Sequence, residues 1–404
     1  MSAPVPARRS HTRGYVIATI LTLAMVAGLY LLIHNIADRA NHPLNTLNPQ
    51  GQESHRIQDL ALPVFAVAGL VFVLVEGAII FLIFRFRRRH DDVDGEAEPV
   101  QIHGKSALEW TWTAVPALIL LVLAVFNVQT IWNLESDADA AKMSVTVVGQ
   151  QWWWEFRYDV DNDGKPDIIT ANQLVLPVKT LVAMHIQSND VIHSFWIPAL
   201  NGKKDAVPGR TQRIALHADR PGIYEGQCTE FCGLSHAYMR MQVKALSKAD
   251  FATWEQNQLR GPVEPDDGTM AADGRAIVEQ KCLGCHQING TDPSGKRLDS
   301  NRPDPDYNGA NQPLISGNAP NLTHLMSREH FAGGMFNLYD HYDAGHGPET
   351  VDPQGSVNQG ELGDWLRNPP GKKPMAADRA RGMPNLNLTD DEIGKIVSYL
   401  STLK

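Results

Sequence analysis

Four cysteines fall in two short clusters in the second half of the chain, and each cluster has the composition of a redox centre. In Cys228-Thr-Glu-Phe-Cys232-Gly-Leu-Ser-His236-Ala-Tyr-Met239, two thiols, an imidazole and a thioether share one loop, the soft donor set that copper selects. In Cys282-Leu-Gly-Cys285-His286 the spacing is that of covalent c-type heme attachment, with two thioether links and the adjacent histidine as an axial iron ligand. Two one-electron carriers on one polypeptide imply an electron relay.

A second imidazole for the first cluster is available at His193, within Asp190-Val-Ile-His193-Ser-Phe-Trp-Ile-Pro. Two thiolates can bridge two copper ions, with one imidazole on each and weak axial donors from Met239 and a carbonyl. A Cys228–Cys232 disulfide, common in exported domains, and a tetrahedral zinc site from both cysteines and both histidines use the same residues. Met239 favours copper, since zinc gains little from a thioether and a disulfide needs none.

The second cluster could alternatively close a disulfide between Cys282 and Cys285. Its context argues for heme: Ala272-Asp-Gly-Arg-Ala-Ile-Val-Glu-Gln-Lys reads as a helix leading into Cys282, and Gly382-Met383-Pro384 precedes a final helix, an order resembling small class I cytochromes c. By that resemblance Met383 is the sixth iron ligand, with Met375 and then Met335 as alternatives; a thioether raises the potential relative to a second imidazole. Pro320-Asn-Leu-Thr323 resembles the segment that buttresses the histidine side of the heme.

Three apolar stretches precede these groups, 15–33, 60–84 and 112–132, each near the ~20 residues that span a bilayer as helix. Arg8, Arg9 and Arg13 precede the first, and Arg85 with Arg87, Arg88 and Arg89 follows the second. The bias of positive charge to the cytoplasm then leaves everything after Trp132 outside, where c-type heme attachment belongs. The first stretch fits either a signal peptide or a retained helix.

Beyond a polar break at 135–142, strand-like runs at 143–149, 151–158, 173–178, 180–186 and 212–216 suggest an all-β sandwich or barrel. Further strand-like residues flank the copper loop at 222–226 and 239–246. Asp159, Asp161, Asp163 and Gly164 echo a calcium loop, but Thr170 stands where a bidentate glutamate belongs, so a hairpin turn is expected. A short helix at 247–259 and a Pro, Gly and acid-rich connector follow. The last helix opens with the capping box Thr389-Asp-Asp-Glu392 and carries the apolar stripe Ile393, Ile396, Val397 and Leu400. The 404-residue chain is 43% hydrophobic with a net charge of −9, most of it acidic surplus after Gly261. No basic patch supports nucleic-acid binding.

Taken together, Cys228-x-Glu230-x-Cys232-x-x-x-His236-x-x-Met239, the His193 segment and Asp205-Ala-Val-Pro-Gly-Arg210 resemble subunit II of the heme-copper cytochrome c oxidases, over roughly residues 45–245. The resemblance implies a dinuclear copper A centre on a cupredoxin-like Greek-key domain. Its ligands would be His193, Cys228, Cys232, His236, Met239 and the backbone carbonyl of Glu230, whose carboxylate would help bind magnesium at the border with subunit I. Glu109, in Leu108-Glu109-x-Thr-Trp-Thr-x-x-Pro116, would lie at the mouth of a proton-uptake channel of the partner, and Trp152 would be the aromatic through which electrons reach copper. Trp153 and Trp154 fit core or interfacial packing equally well. Gln150 stands where a histidine is often found.

The expected plan is a signal peptide or first transmembrane helix at 1–44, a transmembrane helical hairpin at 45–137, the cupredoxin-like domain at 138–250, a linker at 251–269 and an all-α cytochrome c domain at 270–404. The implied partners are oxidase subunits I and III and an electron-donating cytochrome or quinol-oxidising complex, in a bacterial plasma membrane. No intramembrane histidine cluster could hold an oxygen-reducing centre, so that site falls to another chain. A copper-holding protein without oxidase partners, or a copper A subunit of another terminal reductase, is the contrasting reading.

Overall fold

The computed structural model describes residues 12–36, 44–86, 104–289, 319–340, 355–379 and 381–404. Arg8, Arg9 and Arg87 to Arg89, on which the expected topology rests, lie outside the described residues. The chain divides into two compact units, 1–42 with 57–131, and 43–56 with 132–404.

Helices α1 (Thr12–Ile36), α2 (Gln52–Phe86) and α3 (Ser106–Ala140) carry the apolar stretches, and each is long and apolar enough to cross a membrane. Their outward faces are leucine, valine, isoleucine and phenylalanine, exposed throughout, as suits a lipid surround in which a helix satisfies its own backbone. Tyr15 of α1 stacks on Phe81 of α2, ring centroids 5.7 Å apart. Helix α3 continues through the polar residues 135–140, where the sequence suggested a break. Arg56 pairs with Asp137 and Arg213 with Asp139, so these acids are engaged on helix rather than released to a loop.

The second unit holds a β-sandwich built from β1 (Met143–Gln150), β2 (Trp153–Tyr158), β3 (Ile168–Ala171), β4 (Gln173–Pro177), β5 (Val182–Ser188), β6 (His193–Trp196), β7 (Lys204–Ala206), β8 (Gln212–Leu216), β9 (Gly222–Cys228) and β10 (Arg240–Leu246). One sheet runs β3-β2-β1-β5-β8, the other β4-β10-β9-β6-β7. The parallel pairs β1 with β5 and β10 with β4 give the crossed-over, Greek-key path of a cupredoxin-like domain. Val147, Trp154, Phe156, Leu174, Met184, Phe195 and Val243 meet between the sheets, essentially free of solvent. Each buried side chain of this size contributes about 1.5–3 kcal/mol. Gln151 and Trp152 form a turn ahead of β2 instead of joining the strand, and the aspartate-rich segment closes the β2–β3 hairpin, with Asp159 and Asp161 accepting from the turn's own backbone amides.

Helix α4 (Lys248–Gln258) is capped by Ser247, whose hydroxyl accepts from Asp250 N at 3.1 Å, a bond that stabilises the helix by about 1 kcal/mol. Phe251 and Trp254 belong to the sandwich core, and Trp254 meets Tyr158 edge-on at 5.2 Å. The first part of the expected 251–269 linker is thus helical and packed.

The C-terminal region comprises α5 (Met270–Lys281), the two-stranded β11 (His330–Phe331) and β12 (Phe336–Asn337), α6 (Gln359–Arg367), α7 (Pro369–Lys372) and α8 (Asp390–Leu400). Helix α8 has the capping box read from sequence, and its stripe faces Val278 and Leu362 in a second core. Helices α5 and α8 cross at Gly274, where a methyl group would collide with the Lys395 carbonyl. An isolated bridge pairs Tyr339 with Val357.

A buried polar seam joins this region to the sandwich. Lys244 Nζ of β10 pairs with Glu329 at 2.7 Å, and Gln173 of β4 donates to the same carboxylate. His330 Nδ1 lies 2.9 Å from Gln242 Oε1, and Arg240 N donates to Gly333 O at 2.9 Å.

Candidate functional site

Three adjacent strands bring the soft donors together at one end of the sandwich. Strand β9 ends on Cys228, the loop returns through a single 3-10 turn at His236–Tyr238, and β10 starts directly after Met239. Strand β6 opens on His193 and pairs with β9, Phe195 opposite Cys228. Cys228 and Cys232 are free thiols with sulfurs 3.8 Å apart. His193 Nδ1 lies 3.9 Å from the Cys228 sulfur, and His236 Nδ1 3.5 Å from that of Cys232. Met239 Sδ is 3.8 Å from Cys232 Sγ, and the Glu230 carbonyl 3.3 Å from Cys228 Sγ.

Asp190 Oδ1 holds His193 Nε2 at 2.7 Å, which fixes the ring and turns Nδ1 toward the thiols, as outer carboxylates do for metal-bound histidines. The two thiols shift each other: Cys232, with His193, lowers the Cys228 pKa, and Cys228, with burial, pushes Cys232 up. Both thiols must lose their protons to hold a thiophilic cation. The donor chemistry and the spacing of these groups fit a copper centre. Glu230 and Phe231 are exposed at the rim of the loop.

The heme motif follows directly on α5. His286 Nδ1 lies 2.8 Å from the Pro320 carbonyl, and burial lowers the pKa of the ring. Burial also pushes the Cys282 thiol up to about 11. Cys282, Cys285, His286 and Met383 line one cavity of about 170 Å³, closed by Phe331, Trp365 and Ile396. Met375 and Met335 are not among its walls.

Arg328 adds an independent sign of fit. Its guanidinium is buried in the cavity wall and donates to Asn321 O at 2.5 Å, while its Nε has no partner. An orphaned cationic donor in the wall of a largely apolar chamber suits the carboxylate edge of a heme. Arg328 has no sequence signal of its own, since only the fold turns it inward.

The tryptophan triplet divides its labour. Trp152 and Trp153 line the heme-motif cavity, and Trp152 Nε1 also donates to the Cys232 carbonyl at 3.1 Å. Trp154 sits in the sandwich core, edge-on to His193 at 5.9 Å. Gln151 reinforces the bridge, donating from Nε2 to Cys232 O at 2.6 Å and from N to Asp190 at 2.8 Å. Gln150 lies buried within 3.4 Å of Glu155. Glu109 is in the first turn of α3, exposed, in the other unit of the chain.

Lys373 likewise has no signal in the sequence. Its Nζ donates to three main-chain carbonyls, Trp152 at 2.6 Å, Tyr238 at 3.0 Å and Ala332 at 3.1 Å. Burial pushes its pKa down to about 7, opposed by the charge of Cys232. Three carbonyls require three N–H donors, which only the ammonium form has.

A membrane-anchored chain with a soft-donor loop on a cupredoxin-like sandwich, followed by a helical heme-motif region, defines a class of redox protein. Residues 45–130 match the family described as cytochrome C oxidase subunit II, transmembrane domain, residues 159–246 its periplasmic domain, and residues 271–404 cytochrome c. Cytochrome c oxidase subunit 2 of Alkalihalophilus pseudofirmus is 30% identical over 89% of this chain and 91% of its own, and that of Bacillus sp. strain PS3 31% identical over 89% and 92%. The solved periplasmic domain of subunit II of cytochrome oxidase from Bradyrhizobium japonicum is 28% identical over 29% of this chain and 94% of that chain, with a TM-score of 0.27. The chain belongs to the cytochrome c oxidase subunit 2 family, in a form with a cytochrome c domain fused at its C-terminal side.

Proposed function

We propose that this chain, as part of a proton-pumping cytochrome c oxidase, accepts electrons at a covalently held heme c and delivers them through a dinuclear copper A centre to subunit I, where oxygen is reduced to water. When bound, the heme iron and the copper pair would each take up and release one electron at a time. Cys282 and Cys285 supply the thiols for attachment, His286 offers Nε2, and Met383 offers a thioether from the same cavity. His193, Cys228, Cys232, His236, Met239 and the Glu230 carbonyl form the copper ligand set, with Asp190 orienting His193.

The observation that carries this reading is Trp152, one indole that both lines the heme-motif cavity and bonds the backbone of the copper loop. The exposed Glu230 carboxylate is free to reach outward toward subunit I and a magnesium ion. Glu109 would face the proton-uptake path of that partner. The sandwich and the cytochrome region lie on the outer face of a bacterial plasma membrane that the chain crosses more than once, with subunit III and a donor cytochrome or quinol-oxidising complex as further partners.

Optical and paramagnetic resonance spectra of the purified, metal-replete chain test the assignment. A c-type heme absorption and a signal from one electron shared by two copper nuclei are expected. Cys228→Ser should abolish the copper signal and retain the heme band. An oxidised wild-type sample silent in copper resonance would sink the copper assignment.

A further inference from the structure

We propose that Lys373 is a positioning residue for the electron-transfer contact, holding the heme-motif cavity against the copper loop and placing one fixed positive charge between them. The inference rests on the proposed heme and copper occupancy and adds to it a residue that neither motif contains.

Each of the three acceptors of Lys373 belongs to a different part of the relay. Trp152 is the bridging indole, Tyr238 directly precedes Met239 on the copper loop, and Ala332 belongs to the cavity wall next to Phe331. The lysine itself lines that cavity and lies on the cytochrome side of the chain, directly after α7. Its neighbour repeats the tie in the opposite sense, the Ser235 hydroxyl of the copper loop donating to the Pro374 carbonyl at 2.5 Å.

Gly333 shows how close this approach is. It adopts a left-handed backbone, φ +80°, and a methyl group there would collide with both the Tyr238 carbonyl and Lys373 Nζ. The ammonium therefore sits in a slot cut to admit it. All three of its donors are used on main chain, so its place is set by the backbone of both domains rather than by a mobile side chain. A buried monopole acts strongly at short range because little water screens it. A cation held there stabilises the reduced, more negative state of each neighbouring centre.

The test uses the assembled oxidase with Lys373→Met, Lys373→Gln and Lys373→Arg. Optical and resonance spectra first establish that each variant carries both centres. The midpoint potentials of the two centres and the rate of electron equilibration between them are then measured. In Lys373→Met, which loses charge and donors together, both potentials should fall and equilibration should slow by about tenfold or more, the scale of a small misplacement of reacting groups. Lys373→Arg should restore the potentials toward wild type while recovering only part of the rate, since a planar fork cannot reproduce a tripod. Should Lys373→Met fail to load a centre, Lys373→Gln supplies the same comparison, with amide donors retained and charge absent. Wild-type potentials and rate in a fully loaded Met or Gln variant overturn this proposal alone. A wild-type chain lacking either spectrum overturns the occupancy on which it stands.

Discussion

Of the three methionines that could complete the iron coordination, Met383 alone lines the cavity that holds Cys282, Cys285 and His286. Met383→Ala should alter the heme absorption and lower its potential, since a thioether favours the reduced iron. It should also cost about 2 kcal/mol of stability for the truncated side chain. Met375→Ala should leave the absorption of the heme unchanged, and a spectral change there would reverse the assignment. Both ligand clusters were legible in the sequence because soft donors at fixed short spacings are local. Lys373 and Arg328 were not. In Lys372-Lys373-Pro374 the two lysines look alike, yet Lys372 is 43% exposed and pairs with Asp364, while Lys373 is buried among carbonyls. Only the packing of one domain on another separates them.

Strands β1, β4 and β10 emerged at the β-rich runs expected from the sequence, and β4 and β10 are buried along nearly their whole length. Tertiary contacts leave no such trace in the sequence. Asp137 and Asp139 of α3 pair with Arg56 and Arg213, and α4, expected as a helix at 247–259, packs Phe251 and Trp254 into the sandwich core. The seam between sandwich and cytochrome region was equally hidden, since Lys244 and Glu329 are 85 positions apart in sequence. Both are buried, with side chains 1% and 6% exposed. Lys244→Met should weaken this seam by about 3–5 kcal/mol, because the Glu329 carboxylate is left buried without its cation. Lys244→Met with Glu329→Gln should recover most of that loss while keeping the contact to Gln173. Hydrogen exchange at β4 and β10 of the full chain in detergent measures both; equal exchange in the single and double variants would show that the pair is not coupled.

At the scale of the whole chain, membrane helices, copper loop and heme motif are consecutive in sequence, but the relay is not a serial arrangement of independent modules. The cavity of the heme motif takes Gln151, Trp152 and Trp153 from the sandwich as part of its wall. The indole of Trp152 then continues to the copper loop. A docked geometry of this kind would make the fused cytochrome a fixed donor in the proposed relay instead of a tethered shuttle, so its rate of transfer should not depend on solvent viscosity. The proposed relay carries electrons to copper by way of the heme cavity. Its most direct test is rapid photoreduction of the heme in the purified, fully loaded chain, followed at both centres. Heme reoxidation and copper reduction should proceed with one shared rate constant and equal amounts of charge. Copper reduction at that same rate in a Cys282→Ala, Cys285→Ala chain lacking heme would contradict it.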